Sequence, residues 1–398
     1  MHQGIAPDPQ AKGIAVNNES QEELFETVLP RDQQEEESDL RSGQINFRDA
    51  VMHTADWTVG TLYSQLQRGT IDLDPGFQRR QAWDDVRKSR LIESLIAGLP
   101  IPNIVLAENS EHRGRFLVID GKQRLLTIQD FLDNKLALKG LDLRPELENA
   151  TFETLPADDR DFLENNSIRS TLIKNIPDAD FLYVMFFRLN SGSLQLSPQE
   201  LRRALIGGNA LSRIDTYIEE SKIFSQIFGP GLDRRMRDSE LVLRFIAFDR
   251  AYEQYEGDLK KFLDSTVTYF EKGGVDEEKE LASGFEKLDR ALHASVAVFG
   301  KDAFKKFTGD RYERRINRAI FDVVTRFFID ENVAALAKSN ATAVVSAYQE
   351  ACNDGAFRAA VEKTTKTVEA TRTRTNIWGN RLAGAIGLTY DAQLARIQ

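Results

Sequence analysis

The chain has 398 residues, 41% of them hydrophobic and 29% charged; this suits two or three domains around a sizeable core. Its formal net charge of −10 excludes a protein that coats nucleic acid over its whole surface, though not one with a local basic groove. A single cysteine excludes an intramolecular disulfide and a cysteine-based metal cluster, and four scattered histidines build no HExxH, Cys/His finger or paired-His nuclease motif.

No apolar run approaches the roughly 20 residues of a membrane helix, and the N-terminus lacks an apolar leader. These absences predict a cytoplasmic protein in a reducing setting, with no membrane partner. Residues 1–50 are polar and acidic, at their extreme in Gln33-Gln34-Glu35-Glu36-Glu37-Ser38-Asp39. Such a segment cannot bury enough apolar surface to offset its ordering entropy, so a disordered tail is expected there.

Order begins near Trp57, with Leu62 and Leu66 at helical spacing. Ile71-Asp72-Leu73-Asp74 alternates with period two, as a short strand does, and Pro75-Gly76 breaks it. Asp84 or Asp85 caps the next predicted helix, Leu91, Ile92, Leu95 and Ile96 form its apolar stripe, and Gly98 stops it. Arg87, Lys88 and Arg90 sit off that stripe. Ile104-Val105-Leu106 and Phe116-Leu117-Val118-Ile119 read as strands on either side of a charged loop, the second ending at Asp120. From Gly121 the period turns helical, through Leu125, Leu126, Ile128, Phe131 and Leu132. The apolar run 181–187 reads as another buried strand, followed by the polar turn Arg188-Leu189-Asn190-Ser191-Gly192. Ser197-Pro198-Gln199-Glu200 is a helix start with proline in the first turn and a glutamate three after the cap. Beyond about Gly208 the pattern is helical throughout, densest around Leu241, Leu243, Phe245, Ile246 and Phe248 and around Ile316, Ile320, Val323, Val324 and Phe327. The expected organisation is therefore α+β: a tail over 1–50, an α/β domain over 51–207 and an all-helical domain over 208–398.

The strongest chemical feature is the strand, Asp-Gly turn and helix around Asp120. The first N–H groups of a helix lack internal partners and carry partial positive charge, which makes an anion site, and Lys122 and Arg124 place two cations beside it. Arg can grip phosphate with two parallel hydrogen bonds. Against this, Asp120 and Gln123 also match a capping box that needs no ligand. Phe77-Gln78-Arg79-Arg80-Gln81-Ala82-Trp83 suits a phosphate or a stacked base, or else two core aromatics with paired arginines. The basic patches at Arg202-Arg203, at Arg234-Arg235-Met236-Arg237 and over Arg311, Arg314, Arg315 and Arg318 suit nucleic acid or a solvated helix face.

In order, these segments stop looking independent. Leu73-Asp74-Pro75-Gly76-Phe77-Gln78-Arg79-Arg80-Gln81-Ala82-Trp83 resembles the PxFQRxxxW box of the GmrSD-type N-terminal domain family. Leu91-Ile92-Glu93-Ser94-Leu95 with Gly98-Leu99-Pro100-Ile101-Pro102 is similar to its next segment. Val118-Ile119-Asp120-Gly121-Lys122-Gln123-Arg124-Leu125-Leu126-Thr127 resembles its DGQQRLTTL signature, and Phe187-Arg188-Leu189-Asn190 with Leu196-Ser197-Pro198-Gln199-Glu200-Leu201 its FxRINxGxxLxxxEL end.

The resemblance implies a ParB-like, sulfiredoxin-like domain that binds and hydrolyses a nucleoside triphosphate, with Mg²⁺, in a restriction or anti-phage system. It implies DNA, a partner nuclease or defence subunit, and a second copy of the chain as partners. On this reading Arg124 and Lys122 hold phosphates beside Gly121, with Arg80, Thr127 and Asn190 counted among the binding residues. Asp120 positions a metal-bound water or caps the helix, Gln123 and Gln78 orient phosphate or water, and Arg79 offsets transition-state charge. Lys122 departs from the family's first glutamine. The His-Asn-His nuclease of larger members has no counterpart among the four histidines. Two alternatives stay open: a metal-dependent nuclease or nickase using Asp72, Asp74, Glu93 and Asp120, and a non-catalytic adaptor that binds DNA or protein.

Overall fold

A computed structural model describes residues 50–73, 83–109, 112–176, 181–182, 184–185, 189, 197–206, 208–233, 236–363 and 365–398. The expected acidic tail, apart from Ala50, lies outside them, as does the Pro75-Gly76 break.

The first element, β1 (Val51–Thr58), is an unanticipated strand. Among the described residues it pairs on one side only, antiparallel to β5 (Ser167–Lys174). Its first four side chains are exposed, so no apolar alternation betrays it. Thr58 then caps α1 (Val59–Gln67), its hydroxyl accepting from the Thr61 N–H at 3.1 Å. Next come the two-residue β2 (Ile71–Asp72) and α2 (Asp85–Ile96). Asp84 caps α2, accepting from Arg87 N–H at 2.7 Å. The helix stops as expected at Gly98 (φ 69°): Gly98 N–H bonds to Leu95 O at 3.2 Å and Leu99 N–H to Ser94 O at 2.9 Å, the double bond of a Schellman motif. After β3 (Ile104–Glu108) come β4 (Phe116–Asp120), α3 (Lys122–Leu132) and α4 (Ala157–Asn165).

The five strands form one mixed sheet in the order β1-β5-β3-β4-β2. β1/β5 and β3/β4 run antiparallel, β3/β5 and β2/β4 parallel. Period-two alternation gives the sheet two apolar faces. Ile104, Leu106, Phe116, Val118, Ile168 and Leu172 pack with the stripes of α1–α4. Val105, Ala107, Ile119 and Ile173 face the other way, against Phe181, Leu182 and Val184. There the expected strand over 181–187 is corrected: Phe181, Leu182, Val184 and Met185 are helical. A short continuous apolar run cannot be told from buried helix by period alone, and this one covers the second face of a sheet instead of extending it.

Ser197 and Glu200 form the expected capping box on α5 (Pro198–Leu205). The region beyond is mostly helical: α6 (Asn209–Glu220), α7 (Lys222–Phe228), α8 (Arg237–Ala251), α9 (Leu259–Lys272), α10 (Val275–Phe299), α11 (Arg318–Phe328), α12 (Glu331–Ser339), α13 (Ala341–Asn353), α14 (Gly355–Glu362) and α15 (Val368–Ile386). It is not all-helical. A hairpin joins β6 (Lys305–Phe307) to β7 (Tyr312–Ile316), so Ile316 closes a strand and does not start the helical stripe. A second, β8 (Tyr390–Asp391) with β9 (Arg396–Ile397), ends the chain. Leu241, Leu243, Phe245, Ile246 and Phe248 of α8 share one core with Ile320, Val323, Val324 and Phe327 of α11 and with Trp378. Met236, ahead of α8, is completely buried in the core of the sheet instead.

One of the basic patches is not a solvated face, and the others are divided. Arg202 and Arg203 are buried, paired to Asp264 at 2.7 Å and Asp215 at 2.6 Å, which lock α5 onto α9 and α6. Arg237 pairs with Asp233 at 2.7 Å, and Arg318 is buried against Glu240 at 3.0 Å. Arg311, Arg314 and Arg315 are exposed, and Arg234 and Arg235 lie outside the described residues. Lys88 is buried too, its ammonium 2.8 Å from Asp130. Among the described residues no helix is long and apolar enough to cross a membrane.

Candidate functional site

β4 delivers Asp120 to one end of the sheet, and the chain turns there through Gly121. The turn needs glycine: φ is 98°, and a Cβ would sit 2.9 Å from Ile104 Cγ1 and 3.2 Å from an Arg124 nitrogen. Gly121, not Asp120, is the N-cap of α3, and no side chain caps the helix, so the expected Asp120–Gln123 capping box is absent. Asp120 turns instead to Arg124. The guanidinium Nη2 donates to Asp120 Oδ2 at 2.8 Å and to the Asn103 carbonyl at 2.9 Å. Asn103 is itself pinned, its amide donating to Thr171 Oγ1 of β5 at 2.9 Å. The Arg124 side chain is 12% exposed and that of Asp120 26%. One arginine thus ties the turn, the entry to β3 and, through Asn103, β5. Sequence reasoning missed Asn103; its place directly after Pro102 and before a strand was the available signal.

Two polar atoms stand out. Gln123 Oε1 and Arg124 Nε are buried and make no hydrogen bond among the described residues. Most buried polar atoms in proteins are paired, so each exception calls for a reason. Thr127 points inward: it is completely buried and its hydroxyl donates to Gln123 O at 2.7 Å. Lys122 is half-buried at the first position of α3.

β2 runs parallel beside β4, Ile71 opposite Phe116 and Asp72 opposite Leu117. Both strands therefore leave the sheet at the same end, one into residues 73–83 and the other into the Gly121 turn. Gln78, Arg79 and Arg80 lie outside the described residues, as do Asp74 and Asn190. Trp83 is described, and the Arg87 guanidinium lies 4.7 Å from its ring centroid.

The acidic set of the nuclease alternative is divided. Glu93 is buried and caps a loop, accepting from the N–H groups of Leu143 at 2.6 Å and Arg144 at 2.7 Å. No group of three or more His, Cys, Asp or Glu able to hold a metal occurs among the described residues.

Residues 59–207 match the family model for the GmrSD restriction endonuclease, N-terminal domain. This part of the chain is a GmrSD N-terminal domain. The match implies a component of a restriction system. It begins at the first residue of α1, leaving β1 ahead of it, and runs past α5, which the Arg202 and Arg203 pairs bind into the helical region. Comparisons with curated proteins and with solved structures found no match.

Proposed function

We propose that the GmrSD N-terminal domain is ParB-like in fold and binds a nucleoside triphosphate at the sheet end where β2 and β4 terminate, turning it over as part of a restriction system that acts on DNA with a partner subunit. The observation that carries this reading is the glycine-capped turn: a helix start with no side-chain cap, directly after a carboxylate held by Arg124. Uncapped N–H groups suit a phosphate, and Lys122 stands at the same turn.

The pairing of Arg124 changes its expected role. With Nη2 committed to Asp120 and Asn103, Arg124 is a positioning residue that aims the carboxylate and shapes the turn. The phosphate contacts fall to Lys122, the α3 N–H groups and, from their place after β2, Gln78, Arg79 and Arg80. Gln123 orients phosphate or water. Thr127, bonded inside its own helix, supports the turn from within. A single carboxylate beside phosphate oxygens suits Mg²⁺, which is commonly held by one or two carboxylates and the substrate's phosphates. Asp120 fits that role, and the ion would supply charge neutralisation.

Calorimetry of the full chain against a panel of nucleoside triphosphates tests this. One triphosphate is expected to bind, with Lys122→Ala weakening it about tenfold or more, as loss of a charge-assisted contact does. Arg124→Lys, which keeps the charge but not the planar fork, should lower turnover more than binding. Absence of nucleotide binding in the wild type, or equal binding by Lys122→Ala, overturns the reading.

A further inference from the structure

A cleft of about 620 Å³ opens in the helical region, far along the chain from the Asp120 turn. The end of α8 and its following turn, α10, the C-terminal ends of α11 and β9 all contribute to it. Its volume lies within the roughly 300–1,000 Å³ typical of small-molecule sites.

Arg326, in the last turn of α11, lines this cleft and differs from its neighbours. The buried arginines Arg202, Arg203, Arg244 and Arg318 each face a carboxylate within 3.0 Å or closer. Arg326 forms no ion pair among the described residues. Its guanidinium carbon lies 3.7 Å from the Tyr252 ring centroid. Its one hydrogen bond among the described residues is a long one, Nη2 to the Ala395 carbonyl at 3.4 Å. Nε is buried without a partner among them. Burial pushes its pKa below the usual value and Arg396 adds to that, against the opposite pull of Tyr252, Tyr390 and Asp249. A desolvated cation beside a second cation is costly unless something negative joins them.

None of the acids of the cleft is ion-paired to Arg326 among the described residues. Asp249 attracts it only at a distance and pairs with Lys287 at 2.8 Å, and Asp330 caps α12, accepting from Val333 N–H at 2.9 Å. Glu253 is exposed. Phe327, Val333 and Ile397 add apolar wall for an organic group.

We infer that this cleft is a binding site for a small organic phosphate, with Arg326, held flat on Tyr252, and Arg396 as its phosphate contacts. A guanidinium stacked on an aromatic ring keeps its fork fixed for two parallel hydrogen bonds, and two adjacent cations favour a dianion over a chloride. The inference stands independently of the Asp120 turn.

The test is calorimetry and thermal shift on the full chain with AMP, inorganic phosphate, citrate and chloride at matched ionic strength. AMP is expected to bind more tightly than inorganic phosphate, with chloride silent. Arg326→Gln should weaken AMP about tenfold or more, and Arg396→Gln, at an exposed position that leaves the core intact, should weaken it less. Arg124→Ala and Lys122→Ala should leave this binding unchanged, which separates it from the site at the sheet end. Binding of citrate but not AMP overturns the phosphate class. No AMP binding in the wild type, or undiminished binding in both arginine variants, overturns the site.

Discussion

The two halves of the chain treat their arginines differently. In the helical region Arg244 and Asp322 are about 5% exposed and joined by two parallel hydrogen bonds from Nε and Nη2, with Arg374 3.6 Å from the same carboxylate. At the end of the sheet the Arg124–Asp120 pair stands partly open to solvent, beside a glycine at φ 98° and two buried polar atoms without partners among the described residues. A pair sealed from solvent is architecture, even with Arg374 Nε buried and unbonded among the described residues. The Arg124–Asp120 pair differs in being partly exposed and in sitting at a turn that only glycine fits.

The sharpest way to break this comparison is to cut a sealed pair. Asp322→Ala leaves Arg244 and Arg374 buried without their shared carboxylate and is expected to cost about 3–5 kcal/mol in urea unfolding. A loss below about 1 kcal/mol would mean that water reaches the network. Gly121→Ala should cost about 1–3 kcal/mol, because the new Cβ must adopt a left-handed backbone against Ile104, and it should abolish nucleotide binding as well. Unchanged binding in a folded Gly121→Ala protein would detach the turn from the function. Ser197→Ala removes one side of the α5 capping box and should cost about 1 kcal/mol by the same unfolding measurement.

The smallest effect concerns Asp133, which joins α3 to α1 by accepting from Tyr63 Oη at 2.6 Å and pairs with Lys135 at 2.8 Å. Burial works to raise its pKa, but the hydrogen bonds from Lys135 and Tyr63 prevail and hold it below the usual carboxylate value. Its contribution is therefore present above the unfolded value of about 3.9 and is lost as pH falls through the lower folded value. Asp133→Asn should remove that part of the acid-side slope of stability, an effect under about 1 kcal/mol for so exposed a lysine partner. An unchanged slope would show the pair to be idle.

Much of the sheet domain was legible because its signals are local. Asp84, Gly98, Gly121 and Ser197 mark element ends by backbone requirements that short stretches of sequence display. The stripes of α2 and α3 lie where the 3.6-residue period puts them. β1 was hidden because an edge strand with exposed side chains needs no apolar alternation. The helical segment around Phe181 misled because an apolar run declares burial, not period. In the site, the turn at Asp120 was readable and its wiring was not: whether Asp120 caps the helix or meets Arg124 depends on where Asn103 and Ile104 sit, 16 or more residues away in sequence.

The linear order of residues determined the α+β organisation, the glycine at the turn, the capping signals and the GmrSD match over 59–207. Folding in three dimensions decided which arginines are free to meet a ligand. Arg202, Arg203 and Arg318 looked like a basic surface and are buried in ion pairs, while Arg326, unremarked in any motif, lines a cleft. The physical reason is that a charge is settled by its partner, and the partners lie 12 to 78 residues away. Propensity and period act over a turn or two of chain; the pairing of buried charges acts across the whole fold.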